Sequence, residues 1–462
     1  MVMARFGEIL KNEKKGDNQM VERLQELLEN RRFAEVHKML ESVNSADIPS
    51  IFEELDEEQI VVVYRLLSKD IAAEVFVELD SDMQEELINA FTDKELKNVI
   101  DDLFMDDTVD LIEEMPANVV KRILKTQKPE DRKLINDLLK YPEESAGSIM
   151  TTEFVDLKEN MTVKDAIDKI RKIGDDAESI YVCYVLTMTR KLIGIVTLKD
   201  IILAKEDTLV KDIMDTNFIK VFTMDEQEEV AKKFDKYDEI AMPVVDNEDR
   251  LVGIVTVDDA MDVMHEEMDE DFEIMAAMAP SEDTYFKTSV FKHARNRIFW
   301  LLVLMISATI TGGVITRYEN AFEALPLLVA FLPMVMGTGG NCGSQSSTLI
   351  IRGLANDEIK LKDFFKAWWK EVRVAFLVGI ALFVANSIRI FAQYRDMKLA
   401  IIVGCTLMGT VTIAKSLGCI LPMVAKKLKM DPAIMAAPLI STILDTCSVF
   451  IYFNIATLVM GL

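Results

Sequence analysis

Five apolar stretches crowd the last third of the chain, and they limit its fold more than any other feature. One begins at Ile298 (IFWLLVLMISATITGGVI) and another at about Ala324, running through LPLLVAFLPMVM. The third begins at Val374 (VAFLVGIALFVAN), the fourth runs from Leu399 to about Val424, and the fifth starts at Pro432. Backbone amides cannot stay unpaired in hydrocarbon, so each stretch predicts a membrane-crossing helix. In the fifth, Asp431 suits an N-cap and Pro432 the first helical position, which predicts a helix from Asp431 onward. Asp445 then falls about 21 Å along it at ~1.5 Å per residue, near mid-membrane. A carboxylate there marks an ion pathway, or else it is ion-paired or protonated inside the bundle.

Loop charge orients the spans. Lys292, Arg295 and Arg297 precede the first span. Arg352, Lys360, Lys362, Lys366 and Lys370 lie between the second and third, and Lys426, Lys427 and Lys429 between the fourth and fifth. The other loops hold Arg317, and Arg395 with Lys398. Basic loops face the cytoplasm, so a multi-pass protein of the cell membrane is expected, N-terminus inside and C-terminus outside. The first residues, MVMARFGEILKNEKKGDNQM, have no apolar core of signal-peptide type. Cys183, Cys342, Cys405, Cys419 and Cys447 form no CxxC pair and read as reduced apolar residues.

Residues 298–462 carry 14 basic and 9 acidic residues, a net +5, against −26 for the whole chain, so residues 1–297 hold −31. Such a module argues against nucleic acid or anionic lipid as its partner. It is a candidate reservoir for divalent cations or a solvated surface.

The front part divides in three. Residues 1–140 show helical periodicity, with apolar residues three and four apart and Asp, Ser, Thr and Pro as punctuation. A small all-helical, superhelical domain is expected, with a period too irregular to name a repeat. Over 141–262 a unit of about 60 residues occurs twice. KLIGIVTLKDII is answered by RLVGIVTVDDAM, with Gly194 and Gly253 in matching places. Each unit alternates strand-like runs with amphipathic helices, so it is α+β. It resembles a tandem CBS pair, which implies a regulatory sensor, often for adenine nucleotides. The third part, 263–297, is led by an acidic connecting helix. Met261, Met264, Met268, Phe272, Met275 and Met278 form an apolar stripe beside many carboxylates, expected to be a packed face or a lever joining sensor to membrane.

Residues 298–462 form the transmembrane domain, and two polar features stand in it. PMVMGTGGNCGSQSSTLIIRG, from Pro333, sets Gly337, Thr338, Gly339, Gly340, Asn341, Gly343 and Gln345 in an apolar surround. Non-helical backbone at that depth would have to line a water-filled cavity or be buried in protein. Alternatively, the small residues form a packing seam between helices. The Asn341 amide suits a hydrated ion. Lys415 is the second intramembrane charge, and its depth matches that of Asp445 on an adjacent helix. The two either pair, or Lys415 lines the pore and lowers local cation density. No GxxxxGK[ST] phosphate loop and no catalytic constellation of hydrolase type occurs, so an enzyme is not expected.

The order of a helical domain, a CBS pair, an acidic helix and five spans resembles the MgtE-type magnesium channels. SAGSIMT (from Ser145), YDEIAMPVVDNEDRLVGIVTVDDAMDVM (from Tyr237), PMVMGTGGNCGSQSSTLIIR (from Pro333) and DPAIMAAPLISTILDT (from Asp431) carry the resemblance over nearly the whole chain. It implies a homodimer in which Asp445 of each chain binds a hydrated Mg2+ at a central pore site, with Asn341 beside the path. It implies cytosolic metal sites at Glu228, Asp238, Asp259, Asp262, Glu267, Glu270 and Asp271, and more loosely at Glu74, Asp106 and Asp110. Mg2+ is the expected cargo and regulator, with ATP a candidate ligand of the CBS pair. The family has an amide where Lys415 stands and Asn where Ser344 stands. Two other readings compete: a channel or transporter for Mn2+ or Co2+, and a non-conducting Mg2+ or nucleotide sensor held by a Lys415–Asp445 pair. The scarcity of soft ligands in the spans favours a hard ion.

Overall fold

The computed structural model describes residues 20–281, 285–286, 288–318, 326–435 and 437–460. The chain divides into two compact units that meet in sequence between Met264 and His265. The first opens with short helices: α1 (20–29), α2 (Phe33–Leu40), α3 (Ile48–Phe52), α4 (Glu57–Tyr64), α5 (Lys69–Val77), α6 (Ser81–Ala90), α7 (Asp93–Asp102), α8 (Met105–Glu114), α9 (Ala117–Thr126) and α10 (Pro129–Leu138). From α4 to α10 the helices start every 12 residues, at 57, 69, 81, 93, 105, 117 and 129. This corrects the expectation of an irregular period. The repeat lies in position more than in residue type. Before each cap stands Leu55, Leu67, Leu79, Phe91, Leu103, Met115 or Gln127, each at least half-buried. The caps themselves are chemically mixed: Asp56, Ser68, Asp80, Thr92, Phe104, Pro116 and Lys128.

Two like units follow. β1 (Phe154–Lys158) pairs in parallel with β2 (Ser179–Leu186), which pairs antiparallel with β3 (Leu192–Thr197). β4 (Val221–Phe222), β5 (Ala241–Val245) and β6 (Leu251–Thr256) repeat that order and those directions. Helices α11 (Val163–Ile173), α12 (Leu198–Leu203) and α13 (Val210–Ile213) belong to the first unit, and α14 (Gln227–Tyr237) to the second. The matched glycines have one cause. A Cβ on Gly194 would stand 3.0 Å from the Asp215 carbonyl, and one on Gly253 2.6 Å from the Thr151 carbonyl, because a neighbouring segment crosses each strand there. The sheets share a core of Val182, Tyr184, Leu192, Val245, Leu251 and Ile254. A second core runs from the helical domain into the second unit through Val221, Val230, Phe234, Val244 and Ala260, so helices and CBS-like pair form one body.

The acidic helix α15 (Val257–Met275) begins before the expected boundary and stops before Met278. Its Met261, Met264, Met268 and Phe272 are exposed in the single chain, so the stripe does not pack within it.

The second unit holds α16 (Val290–Thr316), α17 (Leu332–Ala355), α18 (Phe364–Tyr394), α19 (Met397–Lys427) and α20 (Ala437–Met460). Five segments are long and apolar enough to cross a membrane: Val290–Thr316, Pro326–Ala355, Leu361–Tyr394, Met397–Lys427 and Pro432–Met460. Two expectations change here. The Gly-rich polar stretch is helical throughout, inside α17. The last span does not run as one helix from Asp431: Pro432–Met435 is a 3-10 turn, and α20 begins at Ala437. Asp431 still caps, its carboxylate accepting the Ala433 amide at 2.8 Å.

Candidate ion path and acidic site

The glycines of α17 sort by face. Gly339, Gly340 and Gly343 are buried against neighbours. A Cβ on Gly339 would meet the Ser448 hydroxyl at 2.6 Å, one on Gly340 the Ser441 hydroxyl at 3.0 Å, and one on Gly343 would run into Leu444 and Ile440. From α19, Gly418 approaches the Gly343 carbonyl, with 2.5 Å left for a Cβ. Small residues thus bring α17, α19 and α20 into close contact. The opposite face differs. Gly337, Asn341, Gln345 and Thr348 are exposed in the single chain, with Thr338 and Ser344 half-buried at its edge. At three- and four-residue spacing they make one polar stripe along a helix meant for hydrocarbon.

Asp445 sits on α20 between Leu444, which fills the space at Gly343, and Thr446, whose hydroxyl lies 2.6 Å from that of Thr311 on α16. The Asp445 side chain is half-buried, and no hydrogen bond or ion pair to it is found among the described residues. Ser347 ties α17 to the turn before α20, its hydroxyl donating to the Met435 carbonyl at 2.6 Å.

Lys415 does not pair with Asp445. It is buried on α19 and its partner is Glu371 of α18, 3.8 Å away. Ser346 of α17 joins the pair, accepting from the Lys415 ammonium at 3.1 Å and donating to the Glu371 carboxylate at 2.5 Å. The sequence reading missed Glu371 because it stands beside Lys370 and Arg373 and looks like loop charge; only the helix that begins at Phe364 carries it inward.

The acidic candidates of the first unit separate into groups. Asp106 and Asp110 stand on α8 and Asp259 on α15, and the fold brings them within electrostatic reach of one another. Asp107 and Glu178 join them, and neither was singled out in the sequence. The signal for Asp107 was its place beside Asp106. Glu178 gave none, since a sheet contact places it: its amide donates to the Glu153 carbonyl at 2.9 Å. Burial pushes Asp106 well above the usual carboxylate range, with repulsion from Asp107, Asp259 and Glu178 adding to it. Burial first and like charge second raise Asp107 to about 6, Asp110 to about 7 and Glu178 to about 7. Asp259 is held up at about 6 by burial, although it accepts from the Thr256 amide and hydroxyl. Among the described residues, none of these five carboxylates has a basic partner.

The remaining residues stand apart from that group. Glu74 is exposed on α5. Glu228 pairs with Lys232 one turn along α14 at 2.5 Å. Asp238 is exposed in the left-handed conformation, φ 54°, that ends α14. Asp262 and Glu270 are exposed on α15, Glu267 and Asp271 half-buried, and each interacts with a neighbouring group. Among the described residues no three His, Cys, Asp or Glu side chains stand ready to hold a metal together. The donor set of the α8–α15 cluster is all carboxylate oxygen, with Asp106 buried, Asp107, Asp259 and Glu178 half-buried and Asp110 exposed, and, without a basic partner among the described residues, it fits a hard divalent cation. A bound ion there would replace the protons that burial now favours.

Comparison with known proteins agrees with this architecture. The divalent cation transporter family (MgtE) matches residues 332–455, the MgtE intracellular N domain 43–144, and the CBS domain 146–207 and 210–266. The magnesium transporter MgtE of Bacillus subtilis (strain 168) is 35% identical over 380 residues, 82% of this chain and 84% of that protein. The MgtE of Thermus thermophilus is 35% identical over 360 residues, 77% and 80% of the two chains. Among solved structures, the soluble part of a magnesium transporter matches with a TM-score of 0.51 at 32% identity, covering 54% of this chain and 99% of that one. The cytosolic domain of the Mg2+ channel MgtE in complex with ATP matches at 0.50 and 36%, covering 52% and 98%. A helical domain, a CBS pair and five apolar helices in this order, at this identity and over this length, place the chain in the MgtE family of magnesium transporters.

Proposed function

We propose that this protein passes Mg2+ across the membrane through a path lined by Asp445 and the polar stripe of α17, and that Mg2+ bound at the α8–α15 carboxylates restrains it. One observation carries the reading: a carboxylate in a membrane span with no partner among the described residues, beside a helix with a polar face. Neither is stable against lipid, so both require water, a cation or a second copy. Two chains facing each other would enclose the stripe, and each would offer Asp445 to one ion. A homodimer with cytoplasmic N-termini is therefore the expected assembly.

Mg2+ favours octahedral oxygen ligands and sheds water reluctantly. Few carboxylates and several amide or hydroxyl groups suit a largely hydrated ion that must also leave. The same oxygen chemistry would admit Mn2+ or Co2+ less selectively, and the names of the relatives favour Mg2+. The non-conducting alternative needs Lys415 bound to Asp445, whereas Lys415 is bound to Glu371. The relative solved with ATP supports a nucleotide at the CBS pair as a further regulator.

The test is Mg2+ flux into proteoliposomes for wild type and Asp445→Asn. Loss of flux in a variant that remains folded and dimeric is expected. Flux equal to wild type would place the path elsewhere.

A further inference from the structure

A positive charge is buried within the membrane unit of a cation transporter, and the structure shows what is done with it. Lys415, Glu371 and Ser346 come from three spans and meet where all are buried. The Ser346 hydroxyl is relayed between the charges, accepting from one and donating to the other. The charge lies against the helix that carries the polar stripe: Cys342 of α17, next to Asn341, is within electrostatic reach of Lys415. Ala414, adjacent to Lys415, packs in one cluster with Cys342, Ile440 and Leu444, next to Gly343, and Leu444 precedes Asp445. Buried charges are screened far less than exposed ones, so a bare ammonium at this place would repel a divalent ion on the path.

We propose that Glu371 and Ser346 mask the Lys415 charge from the ion path, so that the pair sets the affinity of the path for Mg2+ while touching no ion itself. In this account Glu371, Ser346 and Lys415 are positioning residues acting through the field along α17 and through its seat. The inference rests on the reading of a Mg2+ path through this unit.

The sign of the effect separates masking from mere support. Glu371→Gln leaves a bare cation, and Lys415→Gln leaves a bare carboxylate. A purely structural pair would make both single variants worse in the same way. A field makes them opposite. The experiment measures the Mg2+ concentration dependence of flux in proteoliposomes for wild type, Glu371→Gln, Lys415→Gln and the double variant. Glu371→Gln is expected to raise the apparent KM about tenfold, Lys415→Gln to lower it, and the double variant to return within about twofold of wild type. If Glu371→Gln does not accumulate folded, Lys415→Gln is compared with the double variant. The pair then differs only in the Glu371 charge, and the single variant is expected to have the lower KM. Single variants shifted in the same direction, or a double variant no better than Glu371→Gln, overturn the inference. Unchanged KM in all three variants overturns it equally. Absence of flux in wild type would instead remove the reading of the path.

Discussion

Asp445 and Lys415 both lie in apolar spans, yet the fold treats them differently. Lys415 is given a carboxylate and a hydroxyl, and Asp445 has no partner among the described residues. An intramembrane charge left unpaired is the signature of a function that supplies the partner. Asp445→Asn should therefore cost at least about tenfold in Mg2+ flux while leaving the melting temperature nearly unchanged, because no protein contact is removed. A large drop in melting temperature with Asn would assign the carboxylate a structural role. The clustered carboxylates of α8 and α15 give a pH signature. Asp107, Asp110, Glu178 and Asp259 hold protons up to about pH 6 to 7 in the folded chain. In the unfolded chain such groups release them near pH 4. Across that window the folded state binds more protons, so its stability is full below about pH 4 and declines as pH rises to about 7. The melting temperature of the ion-free protein should fall from about pH 5 to about pH 8, Asp110→Asn should flatten the fall, and Mg2+ should stabilise more at the higher pH. A flat profile in the wild type would contradict the clustering of these groups.

At the scale of elements, glycine spacing and cap position matter more than overall hydropathy. α17 packs on α19 and α20 through Gly339, Gly340 and Gly343 and leaves Asn341 and Gln345 facing away. Gly343→Ala would overpack Leu444 and Ile440, an expected cost of about 1–3 kcal/mol, while Gly337→Ala, with open space around it, should be close to neutral apart from helix propensity. Thermal melts of the two variants in one detergent would check the contrast; equal losses would refute the face assignment. In the helical domain, Thr92 accepts the Glu95 amide and the Glu95 carboxylate accepts the Thr92 amide, a reciprocal cap at the start of α7. Thr92→Ala should cost about 1 kcal/mol, read from chemical unfolding of the protein. These elements also show what the sequence could tell. The spans, the duplicated strand–helix unit and the matched Gly194 and Gly253 were legible because each leaves a period or a repeated string. The 12-residue helical repeat was hidden by caps as different as Asp56, Phe104 and Lys128, since burial of the preceding residue maintains it. The break before α20 was hidden because Asp431 and Pro432 start a 3-10 turn as readily as an α-helix. Asp445 was visible as a lone charge in an apolar run. Glu371 and Glu178 were not, because their environments come from helix length and sheet pairing rather than from their neighbours in sequence.

At the scale of the molecule, an acidic sensor and a membrane unit share one chain, and one ion is proposed to act on both. The carboxylates of α8, Asp259 of α15 and Glu178, which precedes β2, repel one another when no cation is present, and among the described residues no three stand ready to hold an ion together. In the proposed mechanism Mg2+ binds the state that gathers them better than the state that does not, and so shifts the population toward it. The proposed mechanism assigns the transmission of that change to the exposed Met and Phe stripe of α15. The central claim is that the transported ion also limits its own transport. The most direct measurement is Mg2+ flux in proteoliposomes with the cytosolic face held at low or millimolar Mg2+, comparing wild type with Asp106→Asn/Asp110→Asn/Asp259→Asn. Wild-type flux should fall several-fold as cytosolic Mg2+ rises, and the triple variant should stay active at both concentrations. Wild-type flux that ignores cytosolic Mg2+, or a triple variant suppressed as strongly as wild type, would contradict the account.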